Sequence, residues 1–167
     1  MSIASDLANF VAIAEEEVGY EEGPNNDNKY GKAFGDNNRS WCGWFIAWCA
    51  KKAGISTTAS SDSCPKIPEL GYVPDIHKWY KRSNRSLIPN VSNTSSANYP
   101  KVGDLVIVDT AGGTTGTNHI GIVAAMNGST VTVIEGNSSD AVEKNEYKNL
   151  VFSGQRISYL CSNNVSY

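Results

Sequence analysis

The sequence predicts an α+β fold, with N-terminal helices packed on a C-terminal antiparallel β-sheet. Three observations carry this. Apolar residues recur at helical spacing through residues 3–18 and 41–54, as expected of amphipathic helices. From Leu105 onward the apolar residues fall instead in short β-branched runs separated by turn residues. Helices first and strands afterwards, with no βαβ alternation, is the order of an α+β domain. At 167 residues the chain has the size of one domain of the usual ~100–200 residues, so 1–167 is read as a single unit.

The elements follow in order. Ile3, Leu7, Phe10, Val11, Ala14 and Val18 share one stripe of a helix over 3–18, and Gly19 can stop it. The segment EEGPNNDNKYGKAFGDNNRS (21–40) is dominated by Gly, Pro, Asn and Asp and reads as loop. A second helix is expected in WCGWFIAWCAKKAG (41–54), with Ser40 as its cap, Phe45, Ile46, Cys49, Ala50 and Ala53 inward, and Gly54 at its end. Residues 55–72 read as irregular. A short helix is expected from Pro74 to Arg82, with proline in its first turn, and His77 is read as a surface or boundary residue without a role. Residues 83–98 read as Ser/Asn-rich loop. Strands are expected at 105–109, 119–126 and 130–135, with weaker ones at 141–147 and 155–161.

Composition excludes several classes. With 40% hydrophobic and 19% charged residues the chain is not of disordered type. The longest apolar run, Trp44 to Ala50, is far short of the ~20 residues that cross a bilayer. The opening MSIASDLANF lacks a basic n-region and a long apolar h-region, so no signal peptide is expected. A net charge of −3 offers no electrostatic attraction to nucleic acid or an anionic membrane, and neither is expected as a partner. The four cysteines form no C-x-x-C pair and there are only two histidines, so no metal and no cofactor is expected. The 25–36 loop offers Asp27 and Asp36 among many asparagines, without the dense acidic pattern calcium needs. Cys49 is expected to be a buried, inert thiol. No sustained heptads appear, and a monomer is expected.

The chemistry starts at Cys42. It lies at a predicted helix N-terminus, where the partial positive charge of free amides favours thiolate over thiol. His119, at the start of a strand after AGGTTGTN, can complete a thiolate–imidazolium pair. A group is then needed to orient the imidazole. Glu135 ends the next strand, and Asn137 follows two residues later. Opposed residues of an antiparallel pair share a face. A two-residue turn at Asn127-Gly128 would therefore set Glu135 on the wrong face from His119. A three-residue connection, a shifted loop or a bulge brings Glu135 or Asn137 to the correct face, so the catalytic reading demands an odd-length connection or a bulge. Cysteine, histidine and an acid or amide on one helix and two strands is the arrangement of papain-like cysteine hydrolases.

The segments KYGKAFG, WCGWFIAWCAKKAGI, YPKVGDLVIV, HIGIV and VTVIEGNSS together resemble a bacterial or phage CHAP domain. That family belongs to the papain-like group that includes the NlpC/P60 peptidases. The resemblance implies a papain-like fold and a single CHAP-like catalytic domain. It implies Cys42 as nucleophile, His119 as base, Glu135 as orienting acid and Asn137 as an assisting residue. It also implies peptidoglycan as substrate, cleaved as an N-acetylmuramoyl-L-alanine amidase or as a stem or cross-bridge endopeptidase, and hence action at the bacterial cell wall. The alternative is a catalytically idle wall-binding module on the same fold. For a cysteine hydrolase the Cys42 N–H at the helix start is a natural oxyanion donor. A second donor is expected from the 25–38 loop, with Tyr30 and Asn28 as candidates. Trp41, on the loop beside the cysteine, is expected to line a substrate groove, while Trp44 and Trp48 are divided between groove and core.

Overall fold

Ser2 accepts a hydrogen bond from the Ser5 N–H at 3.2 Å and so caps the first helix of the chain. A computed structural model describes residues 2–59, 65–109 and 119–164. Helix α1 spans Ile3–Glu17 and buries Leu7, Phe10, Val11 and Ala14 of the expected stripe, while Val18 lies past its end and is exposed. The expected loop 21–40 contains a 3-10 turn, Pro24–Asn26, and a short helix α2, Lys29–Ala33. Asn28 caps α2 by accepting from the Gly31 N–H at 2.7 Å. A helix of this length has too few apolar positions to show a period.

Helix α3 spans Cys42–Lys52 and buries Phe45, Ile46, Cys49 and Ala50. Its N-cap is Trp41, with no side-chain cap hydrogen bond. Ser40, expected to cap it, turns its hydroxyl toward the Cys42 sulfur instead. Helix α4, Val73–Arg82, has proline in its first turn. On α4 His77 is buried rather than at the surface. Its Nε2 lies 2.9 Å from the Ser86 hydroxyl and its ring packs 4.2 Å from that of Tyr159. Burial, with Lys81 nearby, lowers its pKa to about 4 and keeps it neutral.

Among the described residues seven strands follow: β1 Ser86–Leu87, β2 Leu105–Asp109, β3 His119–Asn127, β4 Thr130–Ser138, β5 Ala141–Lys148, β6 Val151–Phe152 and β7 Gln155–Cys161. Every pairing is antiparallel. The order is β1-β7-β2-β3-β4-β5-β6, and β6 also pairs with β7. That last pairing closes the expected sheet into a barrel and leaves β1 as an outer strand on β7. Closure rests on β6, which is two residues long and leaves no pattern in the sequence.

Strand alternation produces two apolar cores. Leu105, Ile107, Ile120, Ile122 and Ile134 face α1 and α3. Val106, Val108, Val123, Val131, Val133, Tyr147, Ile157 and Leu160 face the opposite way and fill the barrel. Each such aliphatic burial contributes about 1.5–3 kcal/mol, so strand parity is strongly enforced. Helix α3 lies directly on the backbone of β4: a Cβ added at Gly136 would meet the Phe45 Cβ at 2.5 Å. This close approach brings the start of α3 to one end of the barrel. Among the described residues no helix is long and apolar enough to cross a membrane.

Candidate active site

Strands β3 and β4 are joined by a two-residue turn, Gly128-Ser129, since Asn127 pairs with Thr130. An even turn alone would leave the register wrong for the site. The register shifts between Val123 and Ala125, a bulge at Ala124, so that Val123 faces Val133 and Ile122 faces Ile134. The expected parity correction is thus made by a bulge and not by the turn. Continued toward the strand ends, this register sets Gly121 against Glu135 and His119 against Asn137. His119 pairs with the barrel-facing Val108 of β2, which puts its ring on the inner face at the barrel mouth. Glu135 lies two residues beyond barrel-facing Val133, on the same face.

The two side chains meet. His119 Nε2 lies 3.3 Å from Glu135 Oε1, with side-chain exposures of 14% and 1%. On the other side of the ring, the imidazole hydrogen-bonds the Cys42 side chain, and each group favours the charged form of the other. With Nε2 facing Glu135, Nδ1 is the ring nitrogen left for the sulfur. The structure therefore brings together Cys42 from α3, His119 from β3 and Glu135 from β4.

The electrostatics follow from these contacts. Burial raises the Cys42 thiol pKa, but the His119 imidazole, the Ser40 hydroxyl and the Gly43 N–H outweigh it and hold the thiol below its ordinary 9.0. Burial lowers the His119 pKa, but Cys42 and Glu135 outweigh it and raise the imidazole to about 10. The pair is thereby biased toward thiolate and imidazolium. Cys49 and Cys161 are fully buried, and burial pushes both thiols up. Cys64 lies outside the described residues, as does the AGGTTGT run and Asn118 before His119.

Asn137 adopts φ 56° and donates from Nδ2 to the Ser40 hydroxyl at 3.2 Å. Ser40 Oγ in turn lies 3.9 Å from the Cys42 sulfur. Asn137 thus reaches the nucleophile side of the site through Ser40.

The residues expected to contact substrate lie elsewhere. Trp41 is fully buried, not on a groove wall. Its Nε1 donates to Glu22 and its ring stacks on Tyr30 with centroids 5.1 Å apart. Tyr30 is equally buried, and its hydroxyl donates to Glu17 Oε2 at 2.6 Å, so it is not free to meet an oxyanion. Asn28 is buried too: its Oδ1 caps α2 and its Nδ2 donates to the Asn26 carbonyl at 2.8 Å. Tyr30 packs on Trp41, Phe45 and Trp48, and Asn28 holds the start of α2. Asp27 and Asp36 are likewise engaged, Asp27 by Lys32 and Asn37, Asp36 by Trp44 Nε1 and Arg39.

Sequence reading missed two residues. Tyr147 donates its hydroxyl to Glu135 Oε1 at 2.7 Å, and Asn145 donates from Nδ2 to Glu135 Oε2 at 2.6 Å. Their signal was parity: Glu135 faces Glu143 across β4 and β5, so 145 and 147 share its face. A cleft of about 530 Å³ opens onto His119, with Ser40, Asn137, Glu143, Asn145 and Phe152 among its other lining residues. Its mixture of hydroxyls, amides and one aromatic suits a polar ligand rather than an apolar one.

Among solved structures, the crystal structure of Ly7917 is 18% identical to the chain, covers 93% of it and matches with a TM-score of 0.47. The crystal structure of Ly7917 with the hydrolyzing product of MDP is 16% identical, covers 97% of the chain and matches with a TM-score of 0.50. The second is a likeness of fold. The chain spans 61% and 63% of those two Ly7917 chains. No curated protein matches it. The CHAP domain family matches residues 34–137, more than half of the chain and a span that holds Cys42, His119 and Glu135 together. The chain belongs to the CHAP domain family.

Proposed function

We propose that this protein is a cysteine-dependent peptidoglycan hydrolase that cleaves an amide bond of the bacterial cell wall. It acts as an N-acetylmuramoyl-L-alanine amidase or as a stem or cross-bridge endopeptidase. The observation that carries the reading is the placement of His119, whose Nε2 lies 3.3 Å from the buried Glu135 and whose ring interacts with Cys42 at the start of α3. Membership of the CHAP family supports the substrate class, and Ly7917, crystallised with the hydrolyzing product of MDP, agrees with it. In this reading residues 1–167 work as one catalytic domain of papain-like arrangement, monomeric and acting at the wall.

The Cys42 thiolate attacks the amide carbonyl and forms a bond from sulfur to carbon. As the carbon–nitrogen bond breaks, His119 gives its proton to the departing amine. Neutral His119 then takes a proton from water, whose oxygen displaces the sulfur and releases the acid. Glu135 holds the ring in orientation and stabilises the imidazolium. The Cys42 N–H, at the first position of α3, donates to the developing oxyanion. Asn137 holds Ser40 beside the sulfur.

The test is turbidity loss of purified wall sacculi with the wild-type protein and with Cys42→Ala. Clearing by the wild type alone is the expected result. Equal clearing by both would overturn the nucleophile, and intact sacculi with the wild-type protein bound to them would favour the idle module. Mass spectrometry of the released fragments then separates amidase from endopeptidase.

A further inference from the structure

Glu135 sits in an unfavourable place for a charge. It is 1% exposed, directly above the apolar filling of the barrel, and among the described residues no lysine or arginine pairs with it. The carboxylate of Glu143 faces it across the strand pair, and like charges in opposed positions repel. A buried carboxylate so placed needs a hydrogen-bond donor on each oxygen to stay aligned with the ring.

We infer that Tyr147 and Asn145 are positioning residues that fix the plane of the Glu135 carboxylate, so that its Oε1 stays on the His119 ring. The inference rests on the catalytic reading of Cys42, His119 and Glu135. Tyr147 donates to Oε1 at 2.7 Å, the same oxygen that His119 Nε2 meets, while Asn145 donates to Oε2 at 2.6 Å. Both oxygens are therefore held, one from each side, and the carboxylate cannot turn about its own bond without losing a donor. Asn145 is itself held: its Nδ2 also reaches the Ser138 hydroxyl at 3.3 Å, and that hydroxyl donates to Glu143 Oε2 at 2.9 Å. Ser138 thus ties down the competing carboxylate and keeps it off Glu135. Tyr147 is fully buried and packs on Phe152 with centroids 5.6 Å apart, which fixes its hydroxyl in depth. The titratable groups around Glu135 are His119 from β3, Cys42 from α3, and Glu143 and Tyr147 from β5.

The experiment measures iodoacetamide alkylation of Cys42 against pH, identified by peptide mass spectrometry, beside sacculus clearing. Tyr147→Phe keeps the ring and removes the donor; Asn145→Ala is a second variant on the other oxygen. Both are compared with Glu135→Gln and with each double variant. Expected for each single variant is an upward shift of the Cys42 titration and roughly tenfold slower alkylation at neutral pH, the scale of one hydrogen bond to a charged group. In the Glu135→Gln background neither substitution adds a further shift, because the group through which they act is gone. A purely structural contribution would instead shift both backgrounds alike. Titrations unchanged or lowered in both single variants, or shifts of equal size in both backgrounds, overturn the inference. The alkylation readout needs no wall substrate. Shifted titrations with uncleared sacculi would sink the hydrolase reading and leave the positioning roles standing.

Discussion

Gly121 and Glu135 lie back to side across β3 and β4: a Cβ at Gly121 would stand 2.8 Å from the Glu135 Cγ and 2.4 Å from the Val133 Cγ1. The empty space of one glycine is thus the seat of the carboxylate. Gly121→Ala is expected to push Glu135 away from His119 and to strain the barrel core by roughly 1–3 kcal/mol, the usual cost of overpacking. Thermal unfolding would register the strain, and Cys42 alkylation the displaced acid. A variant that melts and alkylates like the wild type would show that Glu135 has room to spare.

The rate should follow the paired titration of Cys42 and His119. Each is shifted against the direction burial alone would take it: the thiol lies below 9.0 and the imidazole is raised to about 10. Lowering the pH protonates the thiolate and stops attack. Raising it past the imidazolium removes the proton that the leaving amine needs. Hydrolysis should therefore rise through an acid limb below the ordinary thiol value and fall on an alkaline limb above the ordinary imidazole value. Both limbs belong to the coupled pair and not to either residue alone. A kcat/KM profile flat from acid to strongly alkaline pH would exclude the pair as the reacting groups.

The parts of this molecule that sequence reveals are those whose neighbours are close in sequence or repeat with a period. Helices α1, α3 and α4 and strands β2 to β5 and β7 carry their periods openly. The demand for a bulge or an odd turn came from counting residues between His119 and Glu135, and the bulge lies at Ala124. Closure of the barrel did not show, because β6 is two residues that gain their meaning only from β7. Trp41 stands beside the cysteine in sequence but owes its burial to Glu22 and Tyr30, partners whom no period links to it. Tyr147 and Asn145 became visible only once β5 was in register with β4.

Glu135 orients and does not attack, and the two roles predict different losses. Glu135→Gln keeps the shape of the side chain and removes its charge, so the imidazolium loses its buried counter-ion at 3.3 Å. Turnover is expected to fall by roughly 10²–10⁴-fold, within the range for lost acid–base assistance. Cys42→Ala removes the bond-forming atom and should leave no turnover by this route. Side-by-side kcat measurements on one defined muropeptide make the comparison. A Glu135→Gln protein as inactive as Cys42→Ala would show that the carboxylate takes a direct part in the chemistry.

Ser40 gives the finest adjustment of the nucleophile. Its hydroxyl lies 3.9 Å from the Cys42 sulfur and accepts from Asn137 Nδ2 at 3.2 Å. The amide thus occupies an acceptor site on the hydroxyl oxygen and leaves the O–H to point at the thiolate. Among the groups that lower the Cys42 pKa it ranks behind His119, and it is exposed, so water replaces part of what its loss removes. Ser40→Ala should therefore raise the Cys42 titration and slow alkylation at neutral pH by roughly three- to tenfold, at or below the low end for hydrogen bonds to charged groups. Asn137→Ala should do the same more weakly, since it acts by orienting the hydroxyl. In Ser40→Ala the second substitution should then change nothing in the alkylation profile. If Asn137→Ala still slowed alkylation without Ser40, the asparagine would have to act on the site by another contact.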